Sequence, residues 1–296
     1  MKNILYTAIY SFNEIKNSKI FYSFLVFALV LIFGSYFVSQ TSFISQGRIM
    51  VDFSIFAITI FNIFIGIFIG SSMVYDDIEK KSIFLSITRP VKRTEYLTGR
   101  FLGLTAAIIL STIIMMFIFY LVLLIMHKYV IPLPIRSVGK LGGQAPLHIK
   151  TYLTLYLLPQ SLLIQALFII IESVFIAVVA LFFSLITSKA LASIFTILVF
   201  FIGNISSRMN ALVMPAKKII NGKEIIVHRV NYVLVAAVHL IYSVLPNFSI
   251  FNISSEVSYK ISISSDAILY GIIYGLSYII LLFVISSLLF ARRDIS

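Results

Sequence analysis

The densest group of charged side chains lies in "DDIEKKSIFLSITRPVKRTEY", from Asp76 to Tyr96. It holds four acids and five bases, in a chain of which only 11% is charged. Apolar Ile83, Phe84 and Ile87 are interleaved with these charges, so a soluble partner could take the apolar side chains in a groove while the charges set the register. The alternative is a solvated loop whose bases anchor the chain at a membrane surface.

Catalytic and metal chemistry find little support in the sequence. The chain has no cysteine, which excludes thiolate ligands and cysteine nucleophiles. Its four histidines do not have the spacing of a metal site. No Gly-x-x-x-x-Gly-Lys-Ser/Thr phosphate loop occurs. We therefore predict no catalytic residue, no metal ligand and no cofactor bound by this chain.

Four polar residues interrupt long apolar stretches and are candidates for a pathway across a membrane. Glu172 and Gln165 lie seven residues apart on one helical face, and Thr59 and Asn62 share a face of an earlier stretch. An acid at the centre of a spanning helix costs about 2.5–3.5 kcal/mol on insertion scales. Glu172 should therefore line a watery cavity, act as a proton-sensitive latch, or be hydrogen-bonded between helices.

Two pairs of glycines have a spacing that allows close helix packing. Gly66 and Gly70 continue the face of Thr59 and Asn62, and Gly271 and Gly275 lie near the C-terminus. Small residues four apart let helix backbones approach closely in a membrane. We predict packing roles for these glycines, whereas Asn62 could bond across a dimer or line the pathway.

Composition places the chain among polytopic membrane proteins. It is 60% hydrophobic, with a mean hydropathy of +1.06, well above a soluble protein. The net charge of +12 indicates basic loops that face anionic lipid rather than nucleic acid. We predict an all-α membrane protein with a single transmembrane domain, residues 1–296. Its six spans are 21–39, 53–75, 101–126, 160–187, 190–206 and 267–290.

Three shorter segments complete the predicted layout. Residues 2–19 form an amphipathic surface helix, and residues 232–246, too short to cross, form a re-entrant or interfacial helix within an external segment, 207–266. Lys and Arg in the loops favour a multi-pass protein of the cell (inner) membrane with both termini cytoplasmic. Residues 76–99 then form a cytoplasmic elbow. Asp76 or Asp77 would cap the start of its first helix, Pro90 would end that helix, and a second would begin near Thr94.

The stretch Tyr75–Gly103 resembles the coupling-helix region of type-2 ATP-binding-cassette exporter permeases. Its likeness lies in an acidic cluster, a small hydroxyl residue, a Pro-x-x-Arg turn and the Gly99-Arg100 pair before the third span. The residues given a coupling role are Asp76, Asp77, Glu79, Lys80, Ser82, Phe84, Pro90, Arg93 and Glu95.

The resemblance, which is nearest to permeases of nitrous-oxide-reductase maturation, implies a function. The chain would be a permease and not itself an enzyme, paired with a second copy or a related permease. Each permease would bind a cytoplasmic ATPase subunit that holds ATP and Mg and drives export. Two alternatives remain open: a non-transporting regulator with an ATPase partner, and a membrane enzyme that acts on lipid.

Overall fold

The computed structural model describes residues 2–41, 46–79, 92–125, 159–213, 217–220, 223–226, 246–259, 261 and 263–292. Five of its helices are long and apolar enough to cross a membrane, and a sixth apolar helix, Lys189–Ile205, is shorter. The predicted all-α polytopic membrane fold is confirmed.

The helices follow one another along the chain with the following bounds. They are α1 (Lys2–Lys16), α2 (Lys19–Ser39), α3 (Gln46–Glu79), α4 (Arg93–Ile125), α5 (Pro159–Ser184), α6 (Lys189–Val213), a 3₁₀ turn (Phe248–Phe251), α7 (Ser254–Tyr259) and α8 (Ser265–Arg292). The surface helix ends earlier than residue 19, because Ser18 is the N-cap of α2 and its hydroxyl accepts the Phe21 N–H at 3.1 Å.

The core lies around α5 and α3, which are the most buried of the long helices. Helices α2 and α8 are the most exposed, and their outward side chains are apolar, including Phe27, Phe33, Ile273 and Ile280. In a membrane such faces lie against lipid chains, which solvate apolar side chains as well as protein does.

Charged side chains lie at the two ends of α3 and leave an apolar stretch between them. Asp52 pairs with Arg48 near the start of the helix, and Asp76 pairs with Lys189 near its end. Asp52 and Asp76 are 24 positions apart, which corresponds to a rise of about 36 Å, enough to cross a hydrocarbon core of about 30 Å.

Helix α1 lies along the first turns of α4 through a seam of small residues. A Cβ placed on Gly99 would lie 2.8 Å from Thr7 Cγ2, and one on Gly103 would lie 2.8 Å from the Ala8 carbonyl. The apolar side chains of this predicted amphipathic helix therefore lie in two different environments. Ile15 is buried against the bundle, whereas Leu5 and Ile9 stay exposed.

A turn of the segment predicted to be external, Pro246–Phe251, is inserted between helices and is called here the inserted turn. Phe248 and Phe251 are fully buried, with ring centroids 5.0 Å from Phe175 and 6.2 Å from Phe168 on α5. Both contacts fall in the middle of α5, so the turn reaches about halfway along the bundle.

The same segment, residues 207–266, contains a short antiparallel strand pair that was not predicted from the sequence. Strand β1 (Lys217–Ile220) pairs with β2 (Lys223–Ile226), with Lys217 opposite Ile226. The helix predicted at 232–246 lies outside the described residues, apart from its last residue, Pro246.

Candidate coupling site

Helix α3 extends further into the charged stretch than predicted, to Glu79. Helix α4 begins at Arg93, next to the start predicted near Thr94, and continues without a break into the third span. The prediction that Asp76 or Asp77 caps the start of a helix is wrong, because both lie in the last turn of α3. Residues 80–91, and with them Lys80, Ser82, Phe84 and Pro90, lie outside the described residues.

The physical reason is that no proline or glycine separates the apolar stretch after Gly70 from Asp76 and Asp77, so the helix continues through both. Two carboxylates at the C-terminal end of a helix are unfavourable, because the dipole there is negative. Cations from neighbouring helices offset this cost, and each aspartate has a different one.

Asp77 belongs to a buried charged cluster that joins three helices. Arg100 of α4 forms ion pairs with Asp77 of α3 and with Glu14 of α1. The Arg100 side chain is 4% exposed, that of Asp77 12% and that of Glu14 49%. The Tyr96 hydroxyl donates to Asp77 and accepts from Arg100 Nε at 3.0 Å. Arg100 Nη1 also donates to the Ser11 hydroxyl at 3.3 Å. The arginine therefore holds the end of α3, the start of α4 and α1 together.

Asp76 points to a different neighbour. Its carboxylate accepts from Lys189 Nζ at 3.1 and 3.2 Å, which joins the end of α3 to the start of α6. One turn earlier, the Ser71 and Ser193 hydroxyls are 2.7 Å apart, so the same two helices share a buried hydrogen bond. Adjacent aspartates thus attach α3 to two separate parts of the bundle.

The start of α4 is also attached to the end of α8. Arg93 Nη1 donates to the Ala291 carbonyl at 3.5 Å, and the Tyr96 ring lies parallel to Phe290 with centroids 6.4 Å apart. Glu79 is exposed and Glu95 half-buried, and neither has an ion pair among the described residues. Arg93, Asp76 and Asp77 are therefore the predicted coupling residues with described contacts to other helices.

Together these contacts bring both termini and residues 76–99, all predicted to be cytoplasmic, to the same end of the bundle as the short α5–α6 connection. Glu14 lies on the N-terminal helix, and Asp77 and Arg100 lie on either side of residues 80–91. Lys189 directly follows the short α5–α6 connection, and Ala291 lies at the end of α8. Residues 80–91 connect α3 to α4 at this same end.

The predicted intramembrane polar residues do not form one group. Asn62 is fully buried, accepts a hydrogen bond from Ser111 of α4 and donates to the Ile58 carbonyl at 3.0 Å. Its contacts join two helices of one chain. Thr59 is half-buried. Glu172 and Gln165 are 4% and 2% exposed and make no hydrogen bond or ion pair with any residue that the structure describes.

The predicted packing glycines lie at close contacts with α5 and the inserted turn. A Cβ on Gly66 would be 2.9 Å from the Ser173 carbonyl, and one on Gly70 would be 3.0 Å from the Ala177 carbonyl. On α8, a Cβ on Gly271 would lie 3.0 Å from Phe168 and one on Gly275 would lie 3.1 Å from Phe251. A larger residue at any of these positions would need the neighbour to shift.

Sequence reasoning missed the partners Glu14, Tyr96 and Lys189, and the packing role of Gly99 and Gly103. The two glycines carried a signal, since they have the same four-residue spacing as the other pairs. No sequence pattern indicated the charged partners, because Glu14 and Lys189 are 86 and 113 residues from the side chains they contact.

A comparison with known families agrees with this architecture. The family model described as ABC-2 family transporter protein matches residues 4–295. No curated protein matches the chain. The narrower resemblance to permeases of nitrous-oxide-reductase maturation stays a prediction. The family match extends over nearly the whole chain, and the chain therefore belongs to the ABC-2 transporter family, as a membrane permease component of an ABC transporter.

Proposed function

We propose that this chain is the permease of an exporter in the inner membrane and that a separate cytoplasmic ATPase drives it through residues 80–91. ATP and Mg would be held by that ATPase. The single observation that supports this proposal is the way in which both ends of residues 80–91 are joined to other helices. Asp77 at one end and Arg100 beyond the other form one buried cluster, and Asp76 extends the attachment to α6.

A connection built in this way can transmit a push to several helices. A force on residues 80–91 acts on the ends of α3 and α4, which are held to α1 by Glu14, to α6 by Lys189 and to α8 by the Ala291 carbonyl. Packed helices move as rigid elements, so a small displacement at their ends is passed along their length. The family resemblance supports export as the direction and two permease copies as the assembly.

The proposal is tested by purifying the tagged chain from the membranes of its own cells in mild detergent and measuring Mg-dependent ATP hydrolysis. We expect a nucleotide-hydrolysing subunit to purify with the chain and to account for the activity. Purification of the chain without any such subunit from cells in which it is functional would refute the proposal.

Two further measurements distinguish the proposal from its alternatives. A lipid-modifying enzyme would be active without nucleotide, whereas the permease should have no such activity. A non-transporting regulator would hydrolyse ATP with its partner, yet no molecule would cross the membrane of sealed vesicles. Under the proposal, ATP added to inside-out vesicles drives accumulation of the exported molecule.

A further inference from the structure

Helix α5 carries two hydrogen-bond acceptors that the fold buries and leaves without donors. The Gln165 Oε1 atom has no partner, and the Glu172 carboxyl group receives no hydrogen bond or ion pair from any described residue. Both side chains are at least 96% buried. They lie seven positions apart, so they share one face of α5 with about 10 Å of rise between them.

Most other buried polar side chains among the described residues have a hydrogen-bond partner, although the Ser54 and Ser173 hydroxyls do not. Asn62 is equally buried, but its amide group bonds to Ser111 and to the Ile58 carbonyl. Buried hydroxyls such as those of Thr196 and Ser286 donate to carbonyls of their own helix. A carboxylate or amide oxygen in mid-helix cannot use that route, because the backbone N–H groups around it are already bonded. Glu172 and Gln165 therefore need a donor from outside their helix.

The inserted turn lies beside this pair. Phe168 and Phe175, each about one helical turn from Glu172, contact Phe251 and Phe248 of the turn. The turn fits closely, since a Cβ on Gly203 would lie 2.6 Å from the Pro246 carbonyl. The Asn247 N–H also donates to the Tyr274 hydroxyl at 2.8 Å. Withdrawal of the turn would leave an opening with aromatic walls next to two unsatisfied acceptors.

We propose that Glu172 and Gln165 are the polar part of the binding site for the exported molecule, and that this molecule is apolar with an amine group. The ammonium group pairs with the Glu172 carboxylate and a second N–H donates to Gln165. The faces of Phe168 and Phe175 receive the apolar part and attract the cation. This inference rests on the proposed function, because it assigns the substrate class of the same transporter.

The test uses two dyes with the same fluorophore, the primary amine dansylcadaverine and the neutral dansylamide. Binding of each to the purified permease–ATPase complex is measured by fluorescence titration. We expect the amine dye to bind at least tenfold more tightly than the neutral dye. In Glu172→Gln its affinity should fall about tenfold to a hundredfold, the range for a lost charge-assisted hydrogen bond, and in Gln165→Leu it should fall by less. Ser277→Ala, whose hydroxyl is exposed and donates to the Ile273 carbonyl of its own helix, should bind like wild type.

A second measurement does not depend on a variant that folds. Dicyclohexylcarbodiimide activates a carboxyl group, and an adjacent primary amine then displaces the activating group as dicyclohexylurea to form an amide. In the wild-type complex this reagent should attach dansylcadaverine to Glu172, as seen by mass spectrometry of the peptide. The proposal is overturned if Glu172 remains unmodified, if neither dye binds, if the two dyes bind equally, or if folded Glu172→Gln binds like wild type. ATP hydrolysis by the same samples shows whether the proposed function stands when this inference fails.

Discussion

Asp77 and Arg100 form a buried ion pair that joins the last turn of one membrane helix to the start of the next. The pair lies at the end of the bundle where residues 80–91 connect the two helices, and Glu14 adds α1 to the same arginine. The segment expected to receive the movement of an ATPase is thus bounded by a charged cluster rather than by free helix ends.

Replacing Arg100 should destabilise the protein strongly. Arg100→Gln leaves Asp77 buried without its cation, and breaking a buried pair from one side costs about 3–5 kcal/mol. Thermal unfolding in detergent should show a large decrease for Arg100→Gln and a small one for Lys189→Gln. The Lys189–Asp76 pair is 45% and 32% exposed, and pairs of that exposure contribute about 1 kcal/mol or less. Equal decreases in the unfolding temperature of the two variants would show that the Arg100 cluster stabilises the fold no more than the exposed Lys189–Asp76 pair does.

Adding one methyl group should have opposite effects at two glycines. A Cβ on Gly103 would lie 2.8 Å from the Ala8 carbonyl, so Gly103→Ala should push α1 away from α4 and cost about 1–3 kcal/mol. Gly34 has nothing within 4 Å of that position, so Gly34→Ala should stabilise its helix by up to about 1 kcal/mol. Unfolding midpoints of the two variants check this. A stabilised Gly103→Ala would mean that α1 is not packed on α4.

Phe248 should be essential to the packing of the inserted turn. Its side chain is fully buried against Phe175 and Phe200, and Phe248→Ala should cost about 3–5 kcal/mol. Phe33, which is 56% exposed on α2, is the matched control, and Phe33→Ala should change stability by about 0.5 kcal/mol or less. If Phe248→Ala and Phe33→Ala have the same unfolding midpoint, the turn is not inserted as described.

The two ends of the bundle should face opposite sides of the membrane. The chain has no native cysteine, so single cysteines report position directly. A membrane-impermeant maleimide should label Lys92→Cys only in inside-out vesicles and Asp266→Cys only in right-side-out vesicles, since both residues are exposed. Labelling of both from one side would contradict the proposed topology.

The sequence predicted the features that depend on local pattern. Long apolar stretches correspond to helices because a spanning helix must satisfy its backbone internally and present apolar side chains to lipid. Gly66 and Gly271 were identified by spacing alone, and the structure places both at close contacts. Pattern could not say which helix each glycine would meet, because that depends on the packing of the whole bundle.

Features that depend on distant partners were missed or misread. Asp77 follows an apolar run, and its type suggested a helix start, but Arg100 and Tyr96 stabilise it at a helix end.

Some local features of the segment before the last helix were also not predicted. Asn247 and Asn252 occur in Asn-x-Ser triplets and act as local caps, accepting the N–H groups of Ser249 and Ser254. The short strand pair flanks Asn221-Gly222, the strongest short hairpin signal in a sequence, which was overlooked within so apolar a chain.

ATP hydrolysis by the purified permease–ATPase complex, compared among variants of the connecting segment, tests the central claim most directly. The account predicts that Pro90→Ala and Arg93→Ala bring hydrolysis to the rate of the free ATPase, since the movement of residues 80–91 is then no longer coupled to the helices. Arg48→Ala, at the opposite end of the bundle, should hydrolyse ATP like wild type. Wild-type hydrolysis in the Pro90 and Arg93 variants, with the complex intact, would contradict the account.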